Sequence, residues 1–331
     1  MKKLTIISLA LTLSLGLAAA QTVAVDKDIQ PYKKTSGVSG KLNSIGSDTL
    51  NNLMGLWMEG FKKVYPNVKT EFEGKGSSTA PPALIKGSSQ LGPMSRQMKS
   101  TEIDEFEKQF GYKPTAIPVA IDALAIYAHK DNPIPGLTLT QVDSIFSSTN
   151  KRGGSNITKW GEVGLQPWAS KPISLYGRNS VSGTYGYFKK NVLNGGDYLA
   201  TVKEQPGSSA VIQGVAADLG GLGYSGIGYR TSGVKPIALG ETSEKLYEPS
   251  LENCLTGDYP LARFLYVYVN KKPGRSLDKL TAEFIKYVLG KEGQTIVVKD
   301  GYYPLPASVA DEHVSSLKGK GPLRRLLQGK K

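Results

Sequence analysis

Residues Pro172–Leu193 read PISLYGRNSVSGTYGYFKKNVL. Ile173, Leu175 and Tyr176 have the apolar and aromatic character of a strand, and Tyr185, Phe188, Lys189 and Val192 fall at helical spacing. Between the two lies a turn carrying Arg178, Ser182, Gly183 and Thr184. Ser and Thr are common N-caps, so a capped helix with a surface arginine accounts for the turn. The same turn also offers hydroxyls, free backbone N–H groups and a guanidinium to an anion. What separates the two readings is whether the pattern recurs.

It does. LNSIGSDTL, residues 42–50, reads as a short strand entering a turn, and Leu50, Leu53, Met54, Trp57, Phe61 and Val64 then recur at three- and four-residue spacing. Pro66 ends that helix, and Val68, Thr70 and Phe72 alternate as a strand. GKGSSTAPPALI (74–85) comes next as a small-residue turn entering a second helix. Gln90-Leu91-Gly92 forms another short strand, with a loop and helix in PMSRQMKSTEIDEFEKQFG (93–111). Strand, small-residue turn and helix in repetition specify an α/β protein with a largely parallel sheet. Two apolar runs stand apart, TAIPVAIDALAIYAHK (115–130) and LARFLYVYVNK (261–271). A chain that leaves one lobe, builds a second and returns needs two such crossing strands. The division expected is a first lobe from 41–121 plus 250–315 and a second from 122–249. Residues 21–40 form an extended leader ahead of them.

Four turns carry the same chemistry: Gly46-Ser47-Asp48-Thr49, Gly76-Ser77-Ser78-Thr79, Met94-Ser95-Arg96, and Arg178 with Ser182-Gly183-Thr184. In open α/β sheets such turns lie at the carboxyl ends of the strands, where ligands gather. Two lobes facing across a cleft bring all four to one small anion, with helix N-termini adding partial positive charge and Arg178 a full one. Recurrence favours an oxyanion site over simple capping. The glycine spacing of a P-loop is absent.

Enzyme chemistry is poorly provided for. The two histidines, His129 and His313, are far apart, no serine sits in a G-x-S-x-G turn, and one cysteine, Cys254, leaves no set of zinc ligands. No catalytic residue, metal or cofactor is expected. His129 reads as a surface or hinge residue, Cys254 as an ordinary thiol, and Asp104/Glu105 as part of a solvated helix face. The tryptophans Trp57, Trp160 and Trp168 read as packing residues.

The two ends of the chain speak to its location. MKKLTIISLALTLSLGLAAA has the charged start, apolar stretch and small-residue finish of a secretory signal, with cleavage near Ala20. The mature remainder, roughly 310 residues, is ordinary for two lobes. A single cysteine excludes an intrachain disulfide. The net charge of +13 suits an anionic partner, but part of it sits in the tail, residues 316–331, where six of the last fourteen residues are basic. That tail reads as a solvated terminus, and no aromatic-basic interleaving marks a nucleic-acid module.

GSDTL, GKGSSTA, LGPMSRQMKSTE, IPVAIDALAIYAHKDNP, ITKWGEVG, RNSVSGTYGYF and YPLARFLYVYVNK together resemble the periplasmic phosphate-binding component of phosphate ABC transporters. The resemblance runs over residues 41–310. It implies a two-lobed type II periplasmic-binding-protein fold of the α/β class, with the ligand in the cleft between the lobes. It also implies a monomer in the periplasm that captures inorganic phosphate and delivers it to a membrane permease, with no nucleic-acid partner. Residue by residue, it implies phosphate contacts from the Thr49 and Leu50 backbone N–H groups and from Ser77. Arg178, Ser182, Gly183 and Thr184 match the family's Arg-x-x-x-Ser-Gly-Thr spacing.

One position departs from the family. Its members place an aspartate after the third strand, where it accepts the proton of phosphate and thereby excludes sulfate. Here that place falls to Ser95 or Arg96. Asp122 on the crossing strand and Asp48 in the first turn are the candidate replacements, Asp122 slightly preferred. The alternatives are a binder of sulfate or another tetrahedral oxyanion, and a secreted phosphatase on the same scaffold.

Overall fold

A computed structural model describes residues 23–317; the signal segment and the basic tail beyond Leu317 lie outside them. Residues 23–39 form no helix or strand, yet they are not a free leader. Ile29 is buried, Asp26 Oδ2 accepts the Ala307 N–H at 2.9 Å, and Tyr32 OH donates to Glu283 at 2.7 Å. The segment is a packed strap across the first lobe.

That lobe begins with β1 (Gly40–Gly46), α1 (Asn51–Val64) and β2 (Val68–Gly74), with β1 and β2 parallel and Gly40 opposite Val68. The expected helix is present because its apolar stripe, Leu53, Met54, Trp57, Met58 and Phe61, is buried as one face. Phe72 is 46% exposed: its ring lies against Gly55 of α1, and β2 pairs only with β1 among the described strands. α2 (Ala80–Ile85), β3 (Gly92–Met94) and α3 (Ser100–Phe110) come next, a Ser44–Leu91 bridge tying β1 to the run into β3. Asp104 and Glu105 lie on the exposed face of α3. Then comes β4 (Thr115–His129), fifteen residues long and buried continuously from Ile117 to Ala128. Burial on both faces is why it reads as an unbroken apolar run.

The second lobe holds β5 (Gly136–Thr138), α4 (Leu139–Phe146), β6 (Ser174–Arg178), α5 (Gly183–Asn191), β7 (Lys203–Gln205), α6 (Ser208–Ala217) and β8 (Gly221–Gly226). β6 lies parallel to both β7 and β8. Three short strands, β9 (Val234–Pro236), β10 (Ala238–Thr242) and β11 (Lys245–Tyr247), complete it. The chain returns through α7 (Leu251–Thr256) to β12 (Ala262–Val269), α8 (Lys279–Leu289), α9 (Lys291–Lys299) and α10 (Ala307–Ser316).

β4 joins the lobes by changing partner. It pairs antiparallel with β12 from Thr115 to Ala123, and with β8 from Leu124 to Ala128. β12 does not cross; among the described strands it pairs only with β3 and β4. The return is made instead by α7 and Tyr259–Leu261, where Tyr259 OH donates to the Leu124 carbonyl at 2.9 Å. One strand, not two, carries the seven-stranded sheet, in the order β3-β12-β4-β8-β6-β7, from one lobe to the other. Trp57 and Trp160 are fully buried, and Trp168 meets Trp160 edge-on at 6.3 Å.

Candidate functional site

The four turns converge. β1, β2, β3 and β6 each end beside one of them, so Ser47, Thr49, Ser77, Ser95 and Thr184 all point into the space between the lobes, and all are buried. Ser47 Oγ donates to Ser95 Oγ at 3.1 Å, and Ser95 Oγ lies 3.4 Å from both Ser77 Oγ and Thr184 Oγ1. Thr49 Oγ1 meets Thr184 Oγ1 across the cleft at 2.9 Å. Ser77 Oγ also accepts the Ser95 N–H at 3.0 Å. Both readings of the Ser-Gly-Thr turn hold together. Ser182 caps α5 by accepting the Tyr185 N–H, while Thr184 next to it enters the hydroxyl cluster.

Glycines permit this closeness. A methyl group at Gly183 would collide with Ser77 Oγ and sit 2.7 Å from Ser95 Oγ. Gly76, at φ +152°, passes the Val181 carbonyl, which accepts the Ser78 N–H at 3.2 Å. The lobes are closed on each other here.

Two arginines are buried here, Arg263 bonded into the cluster and Arg178 bonded beside it to Asp48, the residue before Thr49. Arg178 is 1% exposed; its Nη1 donates to Asp48 Oδ2 at 2.9 Å and Ser208 Oγ at 2.8 Å, and its Nη2 to the Pro206 carbonyl. Its Nε is buried without a hydrogen-bond partner among the described residues. Arg263 was not anticipated from the sequence. It sits on β12 directly opposite Asp122 on β4, and Asp122 Oδ2 accepts from its Nε at 2.9 Å and its Nη2 at 2.7 Å. The rest of the guanidinium reaches the cluster, Nη2 donating to Thr184 Oγ1 at 3.0 Å and Nη1 to the Ser95 carbonyl at 2.8 Å. A signal existed. An arginine inside an otherwise apolar strand is almost never buried without a partner, and Asp122 is the matching charge inside the other apolar run.

The structure also places the remaining expected residues. Asp122 is fully buried, and its Oδ1 accepts the Ile227 N–H at 2.9 Å. Asp48 reaches across the cleft, its Oδ2 accepting from Arg178, the Ser208 N–H and Ser208 Oγ, each at 2.8–2.9 Å. The Leu50 N–H is turned back onto the Ser47 carbonyl at 3.3 Å. Arg96 is not brought to the cluster: Glu102 takes it in a bidentate pair at 2.7 Å, and its Nη2 reaches Ser78 Oγ at 3.2 Å. Two tyrosines hold the first turn, Tyr229 OH on the Asp48 carbonyl at 2.8 Å and Tyr302 OH on the Thr49 carbonyl at 2.9 Å. Burial pushes both phenols well above their ordinary range, so both remain donors.

Outside the cluster, Cys254 is buried and its thiol is pushed up to about 12 by desolvation, and His129 Nδ1 accepts the Asp131 N–H. Among the described residues no group of three His, Cys, Asp or Glu is placed to hold a metal ion. The hydroxyls, α5's N-terminus and the arginines suit a small oxyanion.

The model of the PBP superfamily domain matches residues 33–292. Over 306 residues the chain is 56% identical to the phosphate-binding protein PstS of Pseudomonas aeruginosa, spanning 91% of this chain and 95% of that one. The chain belongs to the PstS family of that superfamily. Protein SphX of Synechococcus elongatus is 26% identical, over 86% of this chain and 83% of its own. Among solved structures, a candidate phosphate ABC transporter substrate-binding protein from Clostridium perfringens, solved with bound phosphate, aligns with a TM-score of 0.68 at 26% identity. It covers 80% of this chain and 100% of that one. An ABC-type phosphate transport receptor from Vibrio cholerae gives 0.63 at 23% identity over 80% and 100%, a likeness of fold alone. The two-lobed α/β architecture expected from the sequence is the architecture these proteins share.

Proposed function

We propose that the protein captures inorganic phosphate outside the inner membrane and delivers it to the permease of an ABC transporter. The observation that carries this reading is Thr184 Oγ1. At the N-terminus of α5 it is met by Thr49 of the other lobe, by Ser95 and by a buried guanidinium, Arg263. An anion there exchanges water for hydroxyls, helix N–H groups and two arginines, which offset its lost hydration. Each arginine is already paired with an aspartate, so the anion meets directed donors rather than a large net positive charge.

On this reading the contacts come from Thr49, Ser77, Ser95, Arg178, Ser182, Gly183, Thr184 and Arg263, while Arg96 supports the wall through Glu102. Closure is hinged on β4 where it changes partner, between lobes 41–121 plus 250–315 and 122–249. Asp122 is the proton acceptor. Oδ2 is committed to Arg263 but Oδ1 takes only the Ile227 N–H, which leaves it a lone pair. Sulfate has no proton to give, and a buried carboxylate would face it without a hydrogen bond. The chain acts as a monomer, and no nucleic acid takes part.

A thermal-shift titration tests the reading. Phosphate at a hundredfold excess over its Kd stabilises the folded state by about 2.7 kcal/mol, a clear upward shift of Tm. No shift with phosphate contradicts it, and a shift with sulfate alone replaces it with a sulfate binder.

A further inference from the structure

Asp48 makes more bonds across the cleft than any contact in the hydroxyl cluster requires. Its Oδ2 accepts three donors of the second lobe: Arg178 Nη1 at 2.9 Å, the Ser208 N–H at 2.8 Å and Ser208 Oγ at 2.8 Å. Its own carbonyl accepts Tyr229 OH, a fourth bond to that lobe. Ser208 opens α6, a helix of ten residues, so the carboxylate sits where the helix's first free N–H groups and partial positive charge face the cleft. Arg178 is 1% exposed and depends on Asp48 for its carboxylate partner. Ser208 Oγ relays between the two, accepting from the guanidinium and lying in reach of the carboxylate.

The second lobe therefore presents two helix N-termini to the first. α5 faces the hydroxyl cluster, and α6 is taken by a carboxylate belonging to the protein itself. Separating the lobes breaks all three bonds to Oδ2 at once and leaves Arg178 without its counter-ion. From this geometry we infer that Asp48 is a closing latch: a positioning residue that holds the lobes shut and fixes the Arg178 guanidinium, and so sets how long the anion is held. It is not the acceptor of the ligand's proton. The inference rests on the proposed phosphate reading only for its probe.

The test uses the full mature chain loaded with radiolabelled phosphate and chased with excess unlabelled phosphate. Asp48→Asn keeps the shape of the side chain but removes its charge, and release should quicken by about thirtyfold or more, the usual consequence of removing one member of a buried charged pair. Ser208→Ala should quicken release less, and the double variant should fall short of the product of the two, because both act on one network. Unchanged release in Asp48→Asn, or strictly multiplicative effects, overturns the latch. Unchanged release with a gain of sulfate binding overturns it too and makes Asp48 the proton acceptor. If the wild-type protein holds no phosphate, the proposed function fails while the latch is still testable by small-angle X-ray scattering. The latch requires a larger radius of gyration for Asp48→Asn than for wild type, and equal radii reject it.

Discussion

Removing the Arg263 side chain perturbs stability and binding through different atoms, so the two effects separate. In Arg263→Ala, Asp122 Oδ2 loses two charge-assisted bonds of 2.9 and 2.7 Å while remaining fully buried. Breaking a buried pair from one side costs about 3–5 kcal/mol. For a chain of this size that lowers Tm by roughly 5–15 °C. The same change removes the donors to Thr184 Oγ1 and the Ser95 carbonyl, and phosphate affinity should fall by about 2–5 kcal/mol, on the order of thirtyfold or more. The double variant Asp122→Asn with Arg263→Met distinguishes scaffold from site. Replacing both charges by groups of similar size is often neutral for stability, so Tm should return close to wild type while phosphate binding stays weak. Thermal melts and calorimetric titration of both variants give the two numbers. A double variant that regains phosphate affinity together with its Tm would refute the assignment of Arg263 to the anion.

The same geometry fixes three further outcomes. Arg178→Ala should weaken phosphate binding by about 2–5 kcal/mol in a calorimetric titration, since its charge is fully desolvated; unchanged affinity would remove Arg178 from the site. Gly183→Ala should weaken phosphate binding in the same titration, because the new methyl collides with Ser77 Oγ where the lobes meet; retained affinity would mean that the closed arrangement is not the binding one. Burial raises the Asp300 carboxyl from 3.8 to about 7. A raised carboxyl binds its proton more tightly in the folded state, so its contribution is present below about pH 4 and is lost as pH climbs through 7. Asp300→Asn should therefore raise Tm at pH 8 and change little at pH 4, and an equal shift at both values would contradict the assignment.

How much of the fold and site is legible in the sequence depends on how far apart the cooperating groups lie along the chain. Strand, turn and helix are local, so the apolar stripe of α1 and the Ser-Gly-Thr mouth of α5 can be read from spacing alone. The convergence of the four turns is legible too, because strand ends in a parallel sheet lie on one side. Partnerships are not. Arg263 meets Asp122 across 141 residues, a pairing set by the antiparallel register of β4 and β12. Asp48 meets Arg178 across 130 residues and between lobes, which no periodicity encodes. Arg96 has the look of a site arginine because it adjoins Ser95, but Glu102, six residues on, captures it within the same lobe. Phe72 fits a strand pattern and is in a strand, yet alternation cannot say how much of its ring the neighbouring helix covers.

The most direct test of the central claim is calorimetric titration of the ligand-free protein with phosphate and then with sulfate, at pH 6 and at pH 8. Phosphate keeps at least one proton at either pH and sulfate keeps none, so an acceptor carboxylate at the site distinguishes them under both conditions. Phosphate should bind tightly at both values with no competing sulfate binding, and Asp122→Asn should lose that discrimination. Comparable binding of the two anions by the wild-type protein would contradict it, making Ser95 and its neighbouring hydroxyls a general site for tetrahedral dianions.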